Sequence, residues 1–212
     1  MRRLPVYLLL DTSGSMSGEP IEAVKNGVQV MISSLRQNPQ AIETAFISVI
    51  TFDNQATQII PLTDLASFQM VDIRATGVTA LGDALKLVAN KIDTEVAKTT
   101  TEQKGDWKPL VFIMTDGIPT DDWQSGLMEF KKRKTAFTVA CAAGSGADTN
   151  VLKQITENVV SLDTADSQSI GKFFLWVTAS IGVTSTKVED SGKEVAGLNE
   201  LPPPPPELNI VV

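Results

Sequence analysis

Apolar residues fill successive positions in two short stretches, Val6–Leu10 and Leu110–Met114, and each stops at a polar turn: Asp11-Thr-Ser-Gly-Ser15 and Thr115-Asp-Gly117. Unbroken apolar runs of this length are what strands covered on both sheet faces require. Elsewhere the period changes. After Pro20, Ile21, Val24, Val28, Met31 and Leu35 recur at spacings of three and four until Pro39, the stripe of an amphipathic helix. Leu81, Leu85, Val88 and Ile92 repeat that spacing in a second helix, which Thr79 is placed to cap. Between the two helices, Ala45–Phe52 and Ala56–Ile60 are strand-like and joined only by Asp53–Gln55, too short for a helical crossover, so they form a hairpin. Its second strand is expected to be antiparallel at an edge. A short helix near Asp121–Lys132 follows, then strands at Ala136–Ala142 and Val159–Leu162, and a last helix burying Ile170, Phe173, Phe174, Val177 and Ile181.

Strands alternating with helices predict an α/β fold: a Rossmann-like, doubly wound, mostly parallel six-stranded sheet with one antiparallel edge strand and helices on both faces. Past residue 183 the composition turns to Thr, Ser, Lys, Glu and Gly, and then to the run Pro202–Pro206. The expected division is a domain over 1–183 and a flexible tail over 184–212, its prolines in polyproline II as a stiff spacer. The opening Met1-Arg-Arg-Leu-Pro-Val-Tyr-Leu-Leu-Leu10 has the charge pattern of a secretory leader, but Asp11 ends it with no small-residue cleavage site, so it reads as a buried strand. Phe173–Val183 is too short to span a membrane.

Composition narrows the chemistry. The 212 residues carry 18 Lys+Arg against 25 Asp+Glu, a formal net charge of -7, which argues against a nucleic-acid backbone or an anionic membrane as partner. With no histidine, imidazole bases and His-ligated metals are excluded, and any metal must be held by oxygen. The single Cys141 lies in the apolar Thr138-Val-Ala-Cys-Ala-Ala143, which suits a core strand and a reducing cytoplasm.

Asp11, Ser13 and Ser15 place three oxygen side chains in one loop at the carboxyl end of an apolar strand, and Asp116 ends another. In open α/β sheets the crevice at the strands' carboxyl ends, where strand order reverses, is the usual ligand site, and Thr79 can reach it from a third loop. Two carboxylates with three hydroxyls suit a hard cation such as Mg²⁺ and leave room for an outside ligand. Taken singly, Asp11 and Asp116 are ordinary turn residues. Asp121 and Asp122 read as helix-start acids, and Asp83 as a cap or a solvent-facing residue. Trp107 and Trp123 are either partner anchors or packed against the sheet, and Thr99–Thr101 are ordinary loop residues before they are phosphate acceptors.

Asp11-Thr-Ser-Gly-Ser15, Thr79 within Thr76-Gly-Val-Thr-Ala-Leu-Gly-Asp83, and Asp116-Gly117, in that order, resemble the metal-ion-dependent adhesion site of von Willebrand factor A domains. The resemblance covers roughly residues 4–183. It implies that Ser13, Ser15 and Thr79 contact Mg²⁺, or Mn²⁺ in its place, while Asp11 and Asp116 bind it directly or through water. A partner protein then presents a Glu or Asp to the ion. The stretch Leu8-Leu-Leu-Asp-Thr-Ser-Gly-Ser-Met16 and the proline-rich end look most like the bacterial cytosolic TerY-type tellurite-resistance proteins. That likeness implies a scaffold or adaptor acting beside kinase-like and phosphatase-like proteins of the same operon. The competing expectation is a Mg²⁺-dependent phosphotransferase or phosphatase with Asp11 as nucleophile, since haloacid-dehalogenase-like enzymes also place an Asp after an apolar first strand, but their pattern has a second Asp where Ser13 stands. The sequence therefore reads as a non-enzymatic interaction module.

Overall fold

The computed structural model describes residues 2–195 and 197–211. β1 (Leu4–Asp11), β2 (Ala45–Phe52), β3 (Ala56–Asp64), β4 (Leu110–Thr115), β5 (Phe137–Ala143), β6 (Val159–Leu162) and β7 (Asn209–Ile210) form one sheet in the order β3-β2-β1-β4-β5-β6-β7. β3 runs antiparallel to β2 and β7 antiparallel to β6; the other pairs are parallel. The doubly wound sheet is as the periodicity predicts, with seven strands in place of six and a second antiparallel edge. β7 carries no signal in the sequence, because two residues after a proline run have no period to read.

Among the described residues, six α-helices cover the sheet: α1 (Glu19–Leu35), α2 (Pro39–Thr44), α3 (Leu81–Glu95), α4 (Trp123–Lys131), α5 (Thr149–Ile155) and α6 (Ser167–Ser191). Alternate residues of β1 divide between the two faces: Val6, Leu8 and Leu10 join the core under α1 and α6, while Tyr7 and Leu9 join the core under α3, α4 and α5. That two-sided burial is why β1 is apolar at every step. The short helices α2 and α5 are the ones the three-four spacing does not find. Their starts are fixed by capping: Asn38 accepts from Ala41 N at 3.0 Å, and Asp148 from Asn150 N at 2.9 Å.

The boundary expected near 184 falls inside α6, whose buried residues continue through Thr184, Ser185 and Val188. The segment expected as a tail packs on the domain. Val195, Leu201 and Leu208 are buried in the main core, Trp176 Nε1 donates to Pro202 O at 2.8 Å, and β7 pairs with β6. Among the described residues, no helix is long and apolar enough to cross a membrane.

The chain leaves β1 toward β2 and β3 on one side and returns to place β4, β5 and β6 on the other, so strand order reverses between β1 and β4. A crevice at their carboxyl ends is the consequence.

Candidate metal centre

Three loops meet at that crevice. The loop after β1 is tied to the loop before α3 by Gly14 N donating to Gly77 O at 3.1 Å and Thr76 N to Thr12 O at 2.8 Å. Gly77 has φ +72, and its missing side chain leaves the space into which Asn54 projects. The loop before α3 is tied in turn to the loop after β4, through Thr120 N donating to Thr79 O at 2.9 Å and Thr79 N to Thr120 Oγ1 at 3.2 Å. α3 and α4 then pack at glycine contact. A Cβ on Gly82 would meet Asp122 O at 2.7 Å, and one on Gly126 would meet Gly82 O at 2.2 Å. These glycines hold the Thr79 loop against the Asp116 loop, and sequence spacing alone did not single them out.

All five predicted oxygen side chains lie in these loops or, for Asp11, at the end of β1. Asp11 is fully buried; its Oδ1 accepts from Ser13 N at 2.8 Å and its Oδ2 from the Thr115 hydroxyl. Ser13 Oγ lies 3.0 Å from Ser15 Oγ, which donates to Asp116 Oδ1 at 2.7 Å. Thr79 and Ser15 approach the same backbone: a Cβ built on Gly117 would stand 3.2 Å from Thr79 Oγ1 and 3.9 Å from Ser15 Oγ. Thr115, which sequence reasoning did not single out, fixes the orientation of Asp11. A hydroxyl at the last position of β4, opposite the end of β1, was the available signal.

Thr79 does not cap α3, contrary to its predicted role. The helix begins at Leu81, and Asp121 takes the cap by accepting from Gly82 N at 3.0 Å and Asp83 N at 2.8 Å. Asp122 caps α4 through Ser125 N at 3.2 Å, and Asp83 accepts from Ala56 N at 2.7 Å. These acids serve the loop framework. Trp107 is buried under the Arg2 guanidinium, 3.4 Å from its ring centre, and Trp123 packs partly buried beside α3. Thr99 and Thr100 hydroxyls accept from Gly105 N and Gln103 N and so close their own loop. Cys141 is buried in β5, where burial pushes its thiol up and leaves it unreactive.

Burial holds the Asp11 carboxyl above the ordinary carboxylate range; the hydrogen bonds from Ser13 and Thr115 pull it back, and Asp116 pushes it further up. Burial likewise raises Asp116, with Ser15 opposing. Among the described residues, no Lys or Arg pairs with either carboxylate, and no group of three or more acidic or thiol side chains is placed to hold a metal ion. The crevice is thus an all-oxygen pocket of two carboxylates and hydroxyls with uncompensated negative charge. That donor set fits a hard divalent cation.

Comparison with known proteins agrees with this geometry. Residues 6–174 match the family model of the von Willebrand factor type A domain. An uncharacterized Synechocystis protein is 33% identical over 123 residues, which are 55% of this chain and 26% of that protein. The chain therefore spans about a quarter of the length of this curated relative. A von Willebrand factor type A structure from Catenulispora acidiphila superposes with a TM-score of 0.64 at 17% identity, over 86% of this chain and 43% of that one. Proximal thread matrix protein 1 from the mussel byssus, described with a zinc-occupied metal-ion-dependent adhesion site, gives 0.61 at 21% identity, over 84% and 45%. At these identities the two structures show the shared fold.

Proposed function

The chain belongs to the von Willebrand factor type A domain family, and from that premise we propose that its crevice is a complete metal-ion-dependent adhesion site and that the protein is a non-enzymatic docking module. The observation that carries this reading is Asp11: a fully buried carboxylate with no cationic partner among the described residues, held by Ser13 N and the Thr115 hydroxyl beside the hydrogen-bonded chain Ser13–Ser15–Asp116. A bound Mg²⁺, or Mn²⁺ in its place, supplies a coordination position that a Glu or Asp of a partner protein can take. Ser13, Ser15 and Thr79 bring neutral oxygens to the ion, and Asp11 and Asp116 balance its charge. Thr115 and Ser13 N hold Asp11 in one orientation, so the pocket is set before the ion arrives.

A nucleophilic role for Asp11 sits poorly with the same geometry. Its carboxylate is enclosed, both oxygens accept hydrogen bonds, and Ser13 fills the place of a general acid. The narrower assignment is a cytoplasmic scaffold of the tellurite-resistance type, acting with kinase-like and phosphatase-like proteins. It rests on the likeness of Leu8–Met16 and on the buried, unpaired Cys141, which suits a reducing compartment.

Calorimetric titration of metal-stripped protein tests the site. Mg²⁺ or Mn²⁺ is expected to bind at one site, and Asp116→Ala to lose that binding while keeping its far-ultraviolet circular dichroism. Unchanged affinity in Asp116→Ala would move the ion elsewhere. Affinity capture in Mg²⁺ and in EDTA, with Asp11→Ala as control, then asks whether partner binding follows the metal.

A further inference from the structure

The crevice rim is chemically one-sided. On the β1 side it is small and polar, with Gly14, Ser15 and Ser17 exposed. On the side built by the loops before α3 and after β4, two aliphatic side chains stand in solvent: Val78 is 48% exposed and Ile118 is 62% exposed. Val78 directly precedes Thr79, and Ile118 directly follows Gly117, the residue whose backbone approaches the Thr79 hydroxyl. They therefore flank the same contact, and the Thr79–Thr120 hydrogen bonds and Pro119 fix the loops that carry them.

Single exposed aliphatics are normal on a protein surface. These two differ in setting, because their loops otherwise present carboxylates: Asp83, Asp116, Asp121 and Asp122. Asp121 and Asp122 are engaged in capping, Asp83 with the Ala56 amide and Asp116 in the crevice, whereas Val78 and Ile118 join neither of the two cores. Both adjoin in the chain the residues between which the partner's carboxylate arrives in the docking reading.

We propose that Val78 and Ile118 form an apolar half-collar that selects a partner segment in which the metal-binding Glu or Asp has an aliphatic or aromatic neighbour. This rests on the docking reading above. The carboxylate supplies attachment to the ion, and the neighbouring side chain covers Val78 and Ile118, removing water from one side of the crevice. A more enclosed ion–carboxylate contact is electrostatically stronger, so the collar adds to the charge interaction as well as burying apolar surface. A partner segment with its glutamate among glycines or serines has the charge and lacks the cover.

Two capped pentapeptides serve as probes, one with a central glutamate between glycines and one with it between leucines. Their binding to the full chain is followed by amide chemical-shift changes, with Mg²⁺ and with EDTA. Wild type in Mg²⁺ is expected to bind the leucine-flanked peptide about fivefold or more tightly than the glycine-flanked one. Ile118→Ser and Val78→Ser are each expected to shrink that ratio toward one, while Mg²⁺ affinity and glycine-flanked binding stay as in wild type. Equal binding of the two peptides to wild type, or a ratio unchanged in both variants, overturns the collar and leaves metal docking standing. If the leucine-flanked peptide binds equally in EDTA, or if neither peptide binds in Mg²⁺, the docking reading itself fails and the collar with it.

Discussion

Asp11 and Asp106 are both enclosed carboxylates beside β1, one at each end of the strand, and they are treated in opposite ways. At the amino end, Asp106 meets the Arg3 guanidinium at 2.6 Å, and also accepts from Arg3 N at 3.1 Å and Ala97 N at 2.8 Å. Its charge is answered within the chain, and the reward is a closed corner between the strand and the loop that precedes β4. At the carboxyl end, Asp11 has hydroxyl and amide donors but no cation among the described residues. In the proposed site it is a bound cation that would answer its charge. One end of the strand is closed by an ion pair, and the other carries the carboxylate around which the proposed metal site is built.

The sharpest way to break the comparison is Asp106→Ala, which leaves Arg3 without its partner and frees two backbone amides. A loss of about 3 kcal/mol in urea unfolding is expected, with the metal-induced rise in Tm unaffected. A smaller loss, about 2 kcal/mol, is expected from Gly82→Ala, whose methyl group would press on the Asp122 backbone. Because that contact sets the spacing of the Thr79 and Asp116 loops, calorimetry should also show weakened metal binding. This variant crosses the line between the two regions by damaging function through packing.

Smallest in size and opposite in sign is Asp11→Asn. It should stabilise the metal-free protein on the order of 1 kcal/mol by removing an uncompensated buried charge, and abolish the metal response. The pH dependence follows from the same cause. With Asp11 and Asp116 held above the ordinary value of 3.8, the folded protein keeps protons that the unfolded chain has released. The contribution of these two groups to metal-free stability is therefore full below that value and is lost as pH rises through their folded range. Metal competes with those protons, so the Mg²⁺-induced rise in Tm should be larger near pH 7 than near pH 4. A metal-induced rise that is equal at both pH values would detach the ion from these carboxylates.

The two regions were not equally legible in the sequence. Asp11, Ser13, Ser15, Thr79 and Asp116 could be read because each adjoins a strand or helix whose own periodicity is strong, and because the topology forces those ends together. Asp106 could not, since it sits in a polar excursion and its partner lies 103 residues away in the chain. Thr79 was assigned the cap that Asp121 supplies, because propensity sees only the local chain and the donor comes from another loop. The Gly82–Gly126 contact was equally hidden: a glycine inside a helix reads as a weakness until the neighbouring helix is in place.

The tail has a further consequence at the sheet's far margin. A seven-stranded sheet presents two rows of unpaired amides and carbonyls, each an invitation to join a strand of another molecule. β3 declines that invitation with Pro61 and with the irregular register against β2. On the opposite margin, β6 has no such residue and relies on Asn209 and Ile210 to occupy its free side, delivered there by five prolines that carry no amide hydrogen. A chain shortened at Ser191 would uncover the free side of Val159–Leu162 and leave it open to a strand of another molecule. The segment expected as a spacer thus covers an edge on which another strand could otherwise pair.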